Sequence, residues 1–473
     1  MTNEQLGRPK SEIQNSKLKK RVVILGLARQ GTALAQYWVK QGAQVVISDS
    51  KSVEQLADWV QVLGNLPIEY ALGSHPATLL DGADLLCISG GVPAGVPLAQ
   101  EARRRGILVS NDSQIFLEAA PCKVVGLTGS AGKTTTTTLT GQLITASGLT
   151  TWVGGNIGNP LIADLAQMRP TDIAVMELSS FQLEIMTRSP QVAGVLNITP
   201  NHLDRHGTLA IYIEAKSQIL RNQDRDGVAV LGWDDDQVRK LAALARGRGW
   251  WFSAQTPVAA GSFIREGNLY LRDGNREWLV CAVGDIKLRG AHNVLNVLAA
   301  IALSGAATEG SAKPEVMRAV INNFYGVAHR LELVRDLQGV KWYNDSIATA
   351  PERVVAALKS FAEPIVLLAG GRDKKLPWAE FAKAARDTTK VVLAFGECAD
   401  LIEQAAEVEN QSVTAGKRLQ VIKCKQLAEA VQQAAKIAQP GEVVLLSPGG
   451  TSFDEFNDFE ERGQKFREMV KSL

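Results

Sequence analysis

The run Val124-Val125-Gly126-Leu127-Thr128-Gly129-Ser130-Ala131-Gly132-Lys133-Thr134-Thr135 constrains this chain most: an apolar strand enters a glycine-rich turn and leaves as a helix continued by Leu139, Leu143 and Ile144. Glycines let the backbone curl so that several N–H groups and the helix N-terminus face one anion. Lys133 adds a point charge, and the Thr134 hydroxyl suits Mg²⁺. The pattern predicts a nucleotide phosphate cradle. Five residues separate Gly126 from Gly132, so the match to the common P-loop rests on Gly129, Gly132, Lys133 and Thr134.

A chain of 473 residues is too long for one core and predicts two to four domains, with three as the central expectation. The net charge of +2 gives no global reason to expect nucleic acid or a membrane as a partner, so any anionic ligand must be held locally. Cys87, Cys122, Cys281, Cys398 and Cys424 are scattered and never form a CxxC pair, which fits reduced thiols in a cytoplasm. Residues 1–18 read as a flexible tail without the apolar centre of a signal peptide. No apolar run approaches the ~20 residues of a membrane span.

Taken in order, Arg21 to Leu25 is a buried strand that leads into Gly26-Leu27-Ala28-Arg29-Gln30-Gly31, a near-miss to GxGxxG with Ala28 at the second glycine. A second strand, Gln44 to Ser48, ends at Asp49, where a Rossmann fold places its ribose-binding acid. These residues suit either an NAD(P) site or a Rossmann-like domain for another nucleotide. Asp84 to Ser89 runs into Gly90-Gly91-Val92-Pro93, a loop able to pass close to a ligand, and Ile107 to Val109 is a further strand. The expected domain spans 19–115.

From Cys122 strand and helix alternate, as in a parallel sheet covered on both faces. Strands ending at Glu177 and at Leu196 place Glu177 and the segment Asn197 to His206 at the carboxyl edge, where open sheets bind ligands. Thr134, Glu177 and His202 then share one sheet edge, an oxygen-rich set suited to a hard cation beside phosphate. His202 alone is equally a capping or core histidine, and Lys216, on a helix from about Leu209 to Leu220, an ordinary surface lysine. Residues 226–290 read as short antiparallel strands, including Trp250-Trp251-Phe252, Leu269-Tyr270-Leu271 and Trp278-Leu279-Val280. Asn293 and Asn296 share one face of the next helix and suit a purine edge or a cap. The central domain is expected over 116–325. Over 326–473 four apolar strands predict a second doubly wound domain, with its loops towards the central one.

Together these motifs resemble the Mur ligases, ATP-dependent amide-forming enzymes of peptidoglycan precursor synthesis. The resemblance spans nearly the whole chain. It rests on Gly-Ser-Ala-Gly-Lys-Thr at 129–134, Glu-Leu-Ser-Ser-Phe-Gln at 177–182, Asn-His-Leu-Asp-Arg-His at 201–206, Lys216, Gly-Ala-His-Asn at 290–293, His-Arg at 329–330 and Asn-Asp-Ser at 344–346. The segment from Glu177 and the ending Ser447 to Gly463 look most like the D-glutamate-adding branch. The implied fold is α/β with three domains: a Rossmann-like first domain, a central P-loop domain with a small antiparallel portion, and a Rossmann-like last domain. The implied substrates are UDP-N-acetylmuramoyl-L-alanine, D-glutamate and ATP, with two Mg²⁺ ions, in a cytoplasmic monomer.

The resemblance implies roles residue by residue. Gly26, Leu27, Ala28, Arg29, Gln30, Asp49 and Gly91 would hold the uridine diphosphate, with Asn156, Ser179 and Gln182 at the muramoyl-alanine end. Gly129, Ser130, Ala131, Gly132, Lys133, Thr134 and Thr135 would grip the ATP phosphates, and Asn293, Asn296, Arg330 and Asp345 would position the nucleotide. Thr134, Glu177, His202 and Lys216 would serve the metals, Lys216 as an N-carboxylated lysine, and Lys133, Glu177, His202 and Lys216 would be catalytic. Thr349, Lys374, Ser452, Phe453 and Phe459 would receive D-glutamate, and a hinge is expected near 324–330.

Three positions depart from the family pattern: Ile347 replaces its lysine, Ala350 its asparagine and Gly90 a proline. Lys374, aided by Lys375, is expected to carry more of the acceptor contact. The competing readings are another Mur or folylpolyglutamate-type ligase, a non-catalytic nucleotide-binding protein, and an NAD(P) oxidoreductase, against which Ala28 weighs.

Overall fold

The computed structural model describes residues 19–274, 276–311, 313–411 and 418–473; the tail expected at 1–18 lies outside the described residues. The chain forms two compact units, one of Met1–Ile286 with Ala291–Asn323, the other of Lys287–Gly290 with Phe324–Leu473.

The first unit holds two sheets. Strands β1 (Arg21–Leu25), β2 (Gln44–Asp49), β3 (Ile68–Leu72), β4 (Leu85–Ile88) and β5 (Leu108–Ser110) form a parallel sheet in the order β3-β2-β1-β4-β5. The order reverses at β1, so the loop after β1 and the loop after β4 flank one crevice at the carboxyl edge. Val22, Val23, Ile24 and Leu25 are all buried, as expected of a parallel strand covered on both faces. Asn111 caps the helix Asp112–Ala119 by accepting from the Gln114 N–H, and the chain then enters the second sheet.

That sheet contains β6 (Lys123–Thr128), β7 (Thr151–Gly155), β8 (Ile173–Glu177), β9 (Val192–Val195), β10 (Val228–Gly232), β11 (Arg248–Ser253), β12 (Gly261–Arg265), β13 (Asn268–Asp273) and β14 (Arg276–Ala282). Its order is β14-β13-β12-β11-β10-β9-β6-β8-β7. One apolar core runs through both sheets, from Val22 and Leu34 to Val124, Ala174 and Val195. The expectation of an antiparallel region over 226–290 is corrected here. β10, β11 and β12 extend the parallel sheet, with Val230 beside Trp250 and Phe252 beside Ser262, and only β12-β13-β14 run antiparallel. β10 is buried on both faces between β9 and β11, the setting that selects a continuous apolar strand over an alternating one.

The second unit is one six-stranded sheet, ordered β15-β16-β20-β17-β18-β19, from β15 (Glu332–Leu337), β16 (Val340–Asn344), β17 (Ile365–Gly370), β18 (Thr389–Phe395), β19 (Val421–Cys424) and β20 (Val443–Gly449). Helices cover both faces, and separate cores form on each side, around Leu367 and Phe381 on one and Trp342 and Phe466 on the other. The edge strands β15 and β19 add to the four strands expected. Among the described residues no helix is long and apolar enough to cross a membrane.

Candidate active site

The cradle lies between β6 and the helix Lys133–Ala146. Gly132 adopts φ +82°, and a Cβ there would stand 2.1 Å from Asn296 Oδ1, so only glycine fits against the helix behind it. Asn197, just beyond β9, holds the cradle from the other side: its Oδ1 accepts from the Ala131 N–H at 2.9 Å and its Nδ2 donates to the Ala131 carbonyl at 3.0 Å. Ser130 Oγ donates to the Thr199 carbonyl and accepts from the Thr199 N–H, both at 2.9 Å. Asn197 carries no motif; the signal for it is its place directly after a buried strand at the carboxyl edge.

Lys133 Nζ and Lys216 Nζ both donate to the Gly129 carbonyl, at 3.0 and 2.9 Å, and Lys216 also reaches Thr128 Oγ1 at 3.2 Å. Lys216 is 1% exposed, not a surface lysine. Burial first, then the Lys133 charge, hold its amine well below the ordinary lysine range, with Glu177 opposing. Thr134 Oγ1 donates to Glu177 Oε2 and Asn156 Nδ2 to Glu177 Oε1, each at 2.9 Å, so the structure brings Thr134, Glu177 and Asn156 together at the strand edge.

His202 takes a left-handed conformation, φ +53°, at the start of the turn Leu203–His206 and meets the Phe181 ring edge-on at 5.2 Å. His206 stacks flat on the same ring at 5.1 Å and bonds Ser180 Oγ at 2.9 Å, while Arg205 lies 4.4 Å above it. Phe181 thus organises the whole His202–His206 turn. Among the described residues no three His, Cys, Asp or Glu side chains gather as a metal cluster.

A groove of about 490 Å³ joins this region to the first sheet, lined by Ala28, Gln30, Gly91, Asn156, Ser179, Phe181, His202, Lys133 and Lys216 among others. Arg29 also lines it and donates to the Gly158 carbonyl at 3.2 Å. Gln30 Oε1 accepts from the Gly90 N–H at 2.7 Å, tying the two first-sheet loops together. Gly26, Leu27, Asp49 and Gln182 are not among the residues that line the groove. Asp49 accepts from the Leu27 and Lys51 N–H groups at 2.7 and 2.9 Å and so shapes the turn. The Gln182 amide lies between Ser179, with which it forms a capping box, and Ser113 Oγ at 2.8 Å.

Asn296 Nδ2 donates to Asn293 Oδ1 at 2.9 Å, so the two amides form one pair behind the cradle. In the second unit, Asp345 is buried and its Oδ2 accepts from Ser447 Oγ at 2.8 Å. Burial pushes its carboxyl up to about 7, with Ser447, the Leu331 N–H, Arg330 and Arg353 opposing. Lys374 Nζ donates to Thr349 Oγ1 at 3.1 Å, while Ser452 is buried and Phe453 exposed. Phe459 meets His329 edge-on at 6.2 Å and its carbonyl accepts from Ser346 Oγ at 2.8 Å. Arg462, which sequence reading leaves without a role, is fully buried beneath this region and donates to Ser346 Oγ and to the carbonyls of Ser346, Gly450 and Thr451.

Fold and cradle together define a P-loop α/β protein built on three sheets. The Mur ligase MurD-like N-terminal domain matches residues 20–111, the Mur ligase middle domain 127–304, and the Mur ligase glutamate ligase domain 329–450. The UDP-N-acetylmuramoylalanine–D-glutamate ligase of Acetivibrio thermocellus is 38% identical over 100% of this chain and 99% of its own. That of Symbiobacterium thermophilum is 40% identical over 97% and 99%. The chain belongs to the Mur ligase family, in the branch of these relatives. Among solved structures, UDP-N-acetylmuramate-alanine ligase MurC from Thermotoga maritima shares the fold at 19% identity, covering 96% of this chain and 99% of its own with a TM-score of 0.55. MurF from Acinetobacter baumannii does so at 20% identity, 97% and 95% coverage and a TM-score of 0.55.

Proposed function

We infer that this chain joins D-glutamate to UDP-N-acetylmuramoyl-L-alanine at the expense of ATP, as an ADP-forming ligase of peptidoglycan precursor synthesis. Full-length relatives of that name support the reaction. The observation that carries the site is the single groove shared by the first-sheet loops, Lys133 and Lys216. It gives a long anionic substrate a path from a diphosphate-sized turn to the ATP cradle.

A carboxylate resists attack by an amine because its leaving group is an oxide. Transfer of the γ-phosphoryl to the muramoyl-alanine carboxylate makes an acyl phosphate, the D-glutamate amine attacks the acyl carbon, and phosphate leaves from the tetrahedral intermediate. Lys133 and the cradle N–H groups hold the transferring phosphoryl charge. Asn156 and Ser179 orient the muramoyl-alanine carboxylate, and His202 acts as an orienter or ligand. Asn293, Asn296, Arg330 and Asp345 position the nucleotide, and Thr349, Lys374, Ser452, Phe453 and Phe459 receive D-glutamate.

Mg²⁺, when bound, supplies positive charge to the phosphates; Thr134 fits one ion, and Glu177, His202 and an N-carboxylated Lys216 fit a second. Lys216 meets the first requirement of that modification, a neutral amine, through its burial beside Lys133. The enzyme works as a cytoplasmic monomer with domains at 19–115, 116–325 and 326–473.

The test is phosphate release from ATP with UDP-N-acetylmuramoyl-L-alanine and D- or L-glutamate. Release with D-glutamate alone, abolished by Lys133→Ala, is expected. A preference for another amino acid points to a different ligase, and turnover without any acceptor overturns the assignment.

A further inference from the structure

A dicarboxylic amino acid has two carboxylates to neutralise, and Lys374 on Thr349 answers one. The neighbouring cations are differently engaged. Arg462 is fully buried against carbonyls, and the Arg372 guanidinium forks onto Glu397 at 3.0 to 3.2 Å. Arg353 differs from both. It sits exposed in the first turn of the helix Pro351–Leu358, and its Nη1 donates at 3.2 Å to the carbonyl of Ile347, the position where the side chain brings no charge.

We propose that Arg353 is the second anion-recognising residue of the acceptor pocket, acting with Lys374 from the same Ile347–Thr349 loop, and selects a dicarboxylic amino acid. Its guanidinium is anchored through one amine to the Ile347 carbonyl, which leaves further donors of the fork for a carboxylate. Arg353 and Lys374 also feel each other: after burial, the Arg353 charge is the next cause lowering the Lys374 amine, and Glu352 opposes it. The Ile347 carbonyl that holds Arg353 also accepts from the Thr349 N–H at 2.9 Å, and Thr349 Oγ1 accepts from Lys374, so both cations are tied to one short loop where a dianion can meet them.

The proposal rests on the D-glutamate reading, and the assay separates the two. Phosphate release is measured with saturating ATP and UDP-N-acetylmuramoyl-L-alanine while D-glutamate is varied, for the unaltered enzyme, Arg353→Ala, Arg353→Lys and Arg353→Ala combined with Ile347→Lys. Arg353→Ala is expected to raise KM for D-glutamate about tenfold to a hundredfold, the loss of one charged hydrogen-bonding partner. The KM for ATP and the melting temperature stay unchanged, Arg353→Lys is intermediate, and Ile347→Lys recovers much of the affinity. Preference for D-glutamate over D-glutamine narrows in Arg353→Ala. A D-glutamate KM within about twofold of the parent, or a rise matched by the ATP KM and a lower melting temperature, overturns the proposal while the reaction stands. Absence of D-glutamate-dependent release from the unaltered enzyme overturns both.

Discussion

Replacing Arg462 by methionine tests whether the turn before Ser452 is held by a buried cation. Arg462 donates to four acceptors: Ser346 Oγ and the carbonyls of Ser346, Gly450 and Thr451. The Thr451 carbonyl keeps the Arg372 N–H and Ser346 Oγ keeps the Phe459 carbonyl, so only the Ser346 and Gly450 carbonyls are orphaned. At about 2 kcal/mol for each orphaned acceptor and about 1 kcal/mol for each bond lost by the other two, the set costs roughly 6 kcal/mol. The guanidinium is itself incompletely compensated, because burial lowers it to about 10, with Asp454, Cys398 and Glu455 opposing. Methionine regains that part, about 3 kcal/mol. The net loss is roughly 3 kcal/mol, and at about 2–4 °C per kcal/mol the melting temperature of the unit falls about 6–12 °C. Since the group titrates far above neutrality, the loss is the same at pH 6 and pH 8. Calorimetry measures it, and D-glutamate KM should rise with it because Ser346 and Thr451 flank the acceptor residues. A melting temperature within about 2 °C of the parent would refute the reasoning.

Asp345→Asn should stabilise the protein at pH 8 and abolish nucleotide positioning. The Asp345 carboxyl is raised to about 7 in the fold, so the unfolded chain loses its proton first as pH rises above about 4. Stability contributed by the protonated form is complete below that pH and lost on approach to 7, and the parent–variant gap in denaturant titrations should vanish near pH 4. Gly132→Ala adds left-handed strain of about 1–2 kcal/mol to a 2.1 Å clash with Asn296, so ATP affinity measured by calorimetry should drop at least tenfold; affinity within twofold contradicts the cradle geometry. Lys216→Met should remove activity without lowering the melting temperature at neutral pH, since the displaced amine is held well below its ordinary range by burial. An active Lys216→Met enzyme excludes a catalytic Lys216. Under the carbamate proposal, activity of the unaltered enzyme should also fall in bicarbonate-free buffer and at low pH, where the amine is protonated.

What the sequence makes legible follows burial. Continuous apolar runs such as Arg21 to Leu25 and Val443 to Leu446 announce central parallel strands. β3, β7, β15 and β19 all lie at sheet edges, where Glu69, Arg335, Asp336 and Lys423 interrupt the apolar signal that pairing on one side leaves weak. At the site, Thr134 and Glu177 are legible because each ends or follows a strand at one edge, whereas Asn156 enters only through the family resemblance. Gln182 is legible as a member of the motif but not as a wall residue, since its amide is used in a cap. The burial of Lys216 and Arg462 is invisible in sequence, because helix position alone does not reveal what packs over a long basic side chain.

The cradle itself shows why the extra residue before Gly132 does not loosen it. Gly129 packs on Leu196, where a Cβ would stand 2.9 Å away, Asn197 clasps Ala131 through both backbone groups, and Asn296 backs Gly132. A loop held at three points needs little ordering when phosphate arrives, so binding loses less conformational entropy than in a free glycine-rich turn. The same rigidity forces an electrostatic choice. Lys133 and Lys216 both donate to the Gly129 carbonyl, and neither can retreat far while the loop stays fixed. Two ammonium groups there would repel in a buried setting, so burial and the Lys133 charge hold the Lys216 amine well below its ordinary range. A fixed cradle thereby keeps Lys216 as the neutral amine that the proposed N-carboxylation requires, and under that proposal loosening it at Asn197 should weaken phosphate binding and carbamate retention together.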